Sequence, residues 1–315
     1  MTRFIIRRTL QAAAVLLLVS LMMFTLVHLL PGGAAKAELG VRASPSQIRA
    51  FNIANGYNRP VVEQYFIYLN NLIHGRLGFS YVKNESVSYL LRVDLPKSLY
   101  LSGLALIFTL LIAIPLGVYQ AVRRNKADDF VLTGLSFVGY SMPTFWLGLL
   151  LIAFFSVYWR VFPSEAPQAL TVSGSIADPR AMFLPVLTLT IVGVASFSRY
   201  MRSSAIESLA QDYIRTARAK GVTNRGILFG HMLRNALLPI VTLIGLSVPT
   251  LLAGNLITEQ VFNYQGVGLL YFSAAETRDY PTLLALTMVV AAATVLGSLL
   301  ADIGYGLIDR RVRIS

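Results

Sequence analysis

The sequence predicts an all-α polytopic membrane protein with six transmembrane helices. Three observations carry that prediction. The 315 residues are 55% hydrophobic and 13% charged, with a mean hydropathy of +0.63, and a soluble domain of this length needs more polar surface to cover its core. Six apolar stretches follow one another, at 10–30, 98–122, 131–158, 182–198, 236–258 and 282–304. The basic residues collect in alternate connecting segments, as they do where one side of a membrane faces the cytoplasm.

The first stretch follows Arg3, Arg7 and Arg8 and precedes Ala35-Lys36-Ala37, a pattern that resembles a cleaved signal peptide. Its length argues for a retained span: it exceeds the roughly 7–15 apolar residues of a signal core, and at about 1.5 Å per residue it crosses about 30 Å of hydrocarbon. The segment after it, to residue 97, is the longest connection. Within it Val61, Tyr65, Leu69 and Leu72 recur at helical spacing, and Gly75 and Gly78 supply a stop, so it predicts an amphipathic helix on the membrane surface or against an external partner. Asn84-Glu85-Ser86 matches a glycosylation sequon, a pattern too short to carry weight.

Six spans put both termini on one side. With the N-terminus inside, the inner segments hold 16 of the 27 Lys and Arg residues against five acids, seven of those bases lying between 199 and 235. The outer segments hold the other 11 bases, balanced by nine acids. The formal charge of +12 therefore reads as a topology signal, which places both termini in the cytoplasm and argues against a nucleic-acid partner.

Several chemistries are missing. There is no cysteine, hence no disulfide, thiolate nucleophile or sulfur-ligated metal. No G-x-x-x-x-G-K-[ST] loop is present to cradle ATP phosphates. The central parts of the spans lack Asp, Glu, Lys and Arg, the residues expected of a proton- or ion-driven carrier, and Asp302 sits near the inner end of the last span. His28, His74 and His231 share neither metal-ligand spacing nor the membrane interior, and no serine occupies a G-x-S-x-G elbow. The chain reads as a non-enzyme without a cofactor or metal of its own, dependent on a partner for energy. A stand-alone channel is the rival reading from another class.

The segment from Arg199 to Leu238 carries the strongest positive signal. Apolar residues at 206, 209, 213 and 217 predict one helix over 201–220. Gly221 ends it, because glycine takes the left-handed conformation without a Cβ clash. Asn224-Arg225-Gly226 is a turn signal, and a second amphipathic helix runs into the fifth span. Two short helices broken at a glycine predict a rigid knob.

Farther along, Ser247, Thr250, Gly254 and Thr258 form a small, polar stripe at helical spacing, which suits either helix packing or the weakly polar wall of a pathway. Pro115, Pro143, Pro185, Pro239 and Pro249 lie within or at the ends of four consecutive spans, as tolerated kinks or as gating points.

With those residues in hand, the chain resembles the dipeptide/oligopeptide/nickel ABC-transporter permeases, B-type membrane subunit. The resemblance covers almost the whole chain. It is carried by Leu30-Pro31-Gly32, Arg59-Pro60 with Gln64-Tyr65, Leu77-Gly78 with Ser80, Leu95-Pro96, 141–148 (SMPTFWLG) and Leu184-Pro185, and by RNALLP at 234–239 and RDYP at 278–281. The most specific run is Asp212-Tyr213-Ile214-Arg215-Thr216-Ala217-Arg218-Ala219-Lys220-Gly221. ABC importers in general show E-A-A-x-x-x-G in the corresponding loop. With its glycine on Gly221, only Ala217 of the triplet on 215–217 agrees, and of the later I-x-L-P element only Leu233 agrees. The loop thus resembles the peptide-permease variant. Gly33 and Arg76 stand where the family usually shows acids.

The resemblance implies a type I ABC importer permease fold in a bacterial cell membrane. A first helix with its extracytoplasmic segment would occupy 1–97, the permease domain 98–309, and a basic cytoplasmic tail 310–315. It implies a second homologous permease as heterodimer partner, two cytoplasmic ATPases that bind the ATP and Mg, and an extracytoplasmic binding protein, all around a chain in contact with membrane lipid. Asp212, Tyr213, Arg215, Thr216, Ala217, Arg218, Ala219, Lys220 and Gly221 would then couple to an ATPase groove. The cargo would be a di- or oligopeptide; nickel or another small solute is the alternative within the family.

Overall fold

The computed structural model describes residues 2–29, 35, 39 and 43–308. The expected Leu30-Pro31-Gly32 motif, the departure at Gly33 and the tail at 310–315 lie outside the described residues.

Among the described residues the regular structure is helical apart from one two-residue ladder. α1 spans Thr2–His28, and Ile6–Leu26 within it is apolar enough to cross a membrane. α2 (Pro45–Ala54) starts at a capping box, with Ser44 Oγ accepting from the Gln47 N–H and the Gln47 side chain accepting from the Ser44 N–H, so two orphan donors are satisfied reciprocally. α3 (Val61–Ile73) is the surface helix that the 61, 65, 69, 72 spacing predicts. It leans on α1 through Tyr65, whose hydroxyl lies 2.9 Å from Ser20 Oγ, and through His28, whose Nε2 donates to Gln64 Oε1 at 2.8 Å. A hairpin pairs β1 (Phe79–Ser80) with β2 (Glu85–Ser86). Asn84, in the sequon, makes its left-handed turn at φ 55°, a conformation that asparagine tolerates.

α4 (Val87–Val122) and α8 (Pro179–Leu209) are the central pair. At 36 and 31 residues they are about 54 and 46 Å long, so each outruns the hydrocarbon. Gly117 lets them touch: a Cβ there would sit 2.6 Å from Met201 Cβ and 2.7 Å from the Ser198 carbonyl. Asp178 caps α8 by accepting from the Ala181 N–H, with Pro179 at its first position. Pro96, Pro115 and Pro185 lie inside these helices without dividing them.

The third apolar stretch departs from expectation. It is two helical segments, α5 (Ala127–Ser141) and α6 (Thr144–Tyr158), bent by 103° at Met142-Pro143. Proline disfavours the helical region for the residue before it and cannot donate in a helix interior, and Met142 is extended at ψ 125°. α6 ends in a π-turn over Ile152–Tyr158. The short α7 (Val172–Ala177) precedes α8. α8 is longer than the 182–198 stretch suggests, because polar residues extend it at both ends.

After α8 come α9 (Asp212–Ala219) and α10 (Asn224–Ala236), the latter with a π-turn at Ile227–Met232. α10 meets α11 (Leu238–Ala253) at a 42° bend where Pro239 starts the new helix. Then follow α12 (Leu256–Val261), α13 (Val267–Thr277) and α14 (Tyr280–Ile308), with α14 packed on α11. Among the described residues four helices (α1, α4, α8 and α14) are continuous candidate spans, and the two bent pairs bring the number to at most six.

Three apolar clusters hold these elements together. One, at the basic end of the bundle, joins Ala113, Ala121, Phe197, Met201 and Ala205 to Ile214, Ala217, Ile227, Met232 and Ile240. The second centres on Leu101, Met182, Leu184, Phe262 and Tyr264, and the third on Val87, Leu91, Val267 and Leu286. α1 and α5 instead leave large apolar residues such as Leu17, Leu21, Phe130, Val131 and Leu135 exposed, as surface facing lipid or another membrane chain does.

Candidate coupling segment and membrane cavity

The 199–235 segment is not all loop: α8 continues through it to Leu209 and breaks at Ala210-Gln211. The single helix expected over 201–220 is therefore two. The second, α9, has only Ile214 and Ala217 buried, at 0% and 6% exposure. The i, i+3 spacing puts that pair on one helix face, in one apolar cluster with Met201 and Ala205 of α8 and Ile227, Met232 and Ala236 of α10.

The apolar positions 213 and 217, which predict the helix, do not share a buried face. Tyr213 is exposed, and Ala217 is core of its own chain, leaving it no surface to offer a partner. Asp212, Tyr213, Arg215, Thr216, Arg218, Ala219, Lys220 and Gly221 form the exposed side. Asp212 and Arg215 pair at 3.3 Å across that surface, an exposed contact worth little to stability.

Gly221 stops α9 as the sequence predicts. Its φ is +76°, its N–H donates to the Arg218 carbonyl at 3.0 Å, and the Val222 N–H donates to the Ala217 carbonyl at 3.1 Å. These two bonds make a Schellman motif, with Val222 and Ala217 packed in the same apolar cluster. A Cβ at Gly221 would meet nothing within 4 Å, so its requirement for glycine is one of backbone conformation.

Between α4, α8, α11 and α12 lies a cavity of about 430 Å³. Ser247, Thr250, Gly254 and Thr258 all line it, but they do not form a stripe on one helix. Gly254, at φ +75°, ends α11, and Thr258 belongs to α12. A Cβ at Gly254 would come 2.6 Å from the Gly268 nitrogen, so both φ and space require glycine there. Ser102, Thr109 and Asn255 add polar groups that the spacing does not reveal, and Asn255 Nδ2 donates to Ser102 Oγ at 2.7 Å. Thr144, the first residue of α6, reaches the same cavity. Among the described residues its lining carries no ionisable side chain, and its volume falls within the range of small-ligand sites.

Beside the cavity, Glu259 is fully buried. Its carboxylate accepts from Ser98 Oγ and the Asn255 N–H on one oxygen and from the Gly268 and Leu269 N–H groups on the other, at 2.8–3.1 Å. Sequence reasoning missed this residue, because its donors come from three separate parts of the chain. A second cavity, about 260 Å³, lies among α1, α3 and the start of α14, lined in part by His28, Gln64, Tyr68 and Arg76. Burial, with Tyr65 nearby, pushes the Tyr68 phenol up to about 12. Among the described residues no group of three or more His, Cys, Asp or Glu could hold a metal ion.

Two family models match the chain. "Binding-protein-dependent transport system inner membrane component" covers residues 113–314, and the N-terminal component of the same systems covers residues 1–102. Curated relatives match from end to end. The oligopeptide transport system permease protein AppB of Bacillus subtilis is 38% identical over 314 residues, 99% of each chain. The dipeptide transport system permease protein DppB of Escherichia coli K12 is 35% identical, again over 99% of each. The oligopeptide transport system permease protein OppB of Haemophilus influenzae is 36% identical over 99% of this chain and all of the relative. Full-length matches of this kind, on a chain of apolar helices with an ordered basic segment, mean that the chain belongs to the family of binding-protein-dependent transport system inner membrane components.

Proposed function

We propose that the chain is a transmembrane permease subunit of an ATP-driven ABC importer, forming half of the translocation pathway for di- or oligopeptides delivered by an extracytoplasmic binding protein. The observation that carries the coupling part is α9, a helix with an exposed charged side, clamped by Ile214 and Ala217 to the ends of α8 and α10. A push on that surface has to move the helices behind it. The exposed residues of α9, with Gly221 fixing its end, would dock on a cytoplasmic ATPase; Ala217 would act only by holding α9 in place.

The peptide cargo rests on the end-to-end similarity to the dipeptide and oligopeptide permeases. The uncharged cavity is compatible with it, since hydroxyls and an amide can pass a peptide backbone without selecting side-chain charge. In this reading each bent pair counts as one span, giving six, with both termini and α9 in the cytoplasm of a bacterial cell. A second permease completes the pathway, and two ATPases hydrolyse ATP.

Reconstitution tests the proposal. The complete complex in vesicles should take up labelled peptide only with ATP and binding protein, and this chain alone should neither hydrolyse ATP nor move peptide. Uptake by the chain alone would refute the coupled reading.

A further inference from the structure

α5 is fastened to the bundle in an unusual way. None of its residues joins the three apolar clusters, and its large apolar side chains, among them Phe130, Val131 and Leu135, are exposed. Its two buried residues, Asp129 and Ser136, are polar. Both meet α8: Ser136 Oγ lies 3.5 Å from Ser198 Oγ, and Asp129 receives a two-pronged grip from Arg202. Arg202 Nε donates to Oδ1 and Nη2 to Oδ2, each at 2.7 Å.

The Asn125 N–H adds a third donor to that carboxylate, at 3.0 Å, and the Asp129 side chain is 2% exposed. A bidentate, shielded Arg–carboxylate pair fixes both distance and orientation. The neighbouring Arg123–Asp128 pair, between α4 and α5, is far more open to solvent, so it adds little.

The position of the grip gives it a use. Arg202 lies between Met201 and Ala205, the α8 members of the apolar cluster that also holds Ile214 and Ala217 of α9. At its other end α5 turns through the Met142-Pro143 bend into Thr144, which lines the cavity. A displacement of α9 therefore reaches the α8 turn that holds Asp129. From there it can reach the cavity wall along α5, a path of about 18 Å at the helical rise.

We infer that Asp129 and Arg202 are the positioning pair that carries movement of the coupling segment to the cavity-lining start of α6. This rests on the proposed coupling role of α9. With the pair broken, α9 and α8 would still engage the ATPase, and α5 would be held to α8 by the Ser136–Ser198 contact and the stacking of Phe137 and Tyr140 on Arg199, which lack the bidentate hold on orientation.

The test uses the complete importer complex carrying Asp129→Asn or Arg202→Lys, with a fluorophore on Trp146→Cys, an exposed position near the start of α6. Assembly and binding-protein-stimulated ATP hydrolysis should stay within twofold of the parent for Asp129→Asn. Peptide uptake per ATP should fall about tenfold or more, and the nucleotide-dependent fluorescence change should disappear. Arg202→Lys, which keeps the charge and one prong, should fall between the two.

Unchanged uptake per ATP and fluorescence in Asp129→Asn would overturn the inference. So would loss of assembled complex in both variants, which would assign the pair to folding alone. A parent complex that hydrolyses ATP but takes up no peptide would instead refute the importer reading. The fluorescence change, which needs no cargo, would still judge the pair.

Discussion

Gly221 offers the sharpest perturbation, because the structure isolates what is being changed. Its φ of +76° closes the Schellman motif on α9, and no atom lies within 4 Å of where a Cβ would stand. A substitution there meets no wall and creates no cavity. The cost is the left-handed conformation itself, about 1–2 kcal/mol for an ordinary residue and greater for a β-branched one. That corresponds to a roughly five- to thirty-fold loss in the population of the native cap. The loss should fall locally, because residue 221 contributes no side chain to the cluster that holds Ile214 and Ala217.

The expected order of effect is Gly, then Asn, then Ala, then Val, since asparagine visits the left-handed region more readily than other side-chain-bearing residues. The assay is binding-protein-stimulated ATP hydrolysis and peptide uptake by the assembled complex, with membrane insertion as the control. Insertion should be normal throughout, and stimulation should decline along the series. If Gly221→Val matches the parent, or if Gly221→Asn is as damaged as Gly221→Val, the conformational argument is wrong.

Other outcomes follow from individual contacts. Ala217→Asp places a charge in the chain's own core, at a cost of several kcal/mol, so the folded chain itself should be lost from membranes. Arg215→Glu, on the exposed side, should leave abundance unchanged and weaken association with the ATPase, measured by co-purification. Gly117→Ala drives a methyl group into Met201 and the Ser198 carbonyl; overpacking of about 1–3 kcal/mol should lower the melting temperature in detergent. Glu259→Gln turns an amide N–H₂ toward donors that now face a carboxylate, costing about 1–3 kcal/mol per group left unpaired and lowering the same melting temperature. For topology, an impermeant thiol reagent on intact cells should label Glu85→Cys and spare Arg215→Cys. The reverse would invert the proposed orientation.

Composition and apolar run length were enough for a mostly helical membrane chain, because partition into a bilayer depends on local sequence over about 20 residues. The stop at Gly221 was equally legible, since a C-cap is written within a few residues of its helix. The surface helix α3 was legible from its 61, 65, 69, 72 spacing. Local patterning could not decide which side chains would find partners. The apolar spacing runs through Tyr213, whereas the fold buries Ile214, because the neighbours that select the face come from α8 and α10. Local patterning ran Ser247 to Thr258 along one helix that Gly254 in fact ends. The single stretch 131–158 is uncharged throughout, and only the path of the chain shows that Pro143 turns it by 103°. Asp129 and Glu259 read in sequence as ordinary charges at the edges of spans. Their burial depends on donors up to 161 residues away along the chain, and only tertiary structure brings such groups within hydrogen-bonding distance.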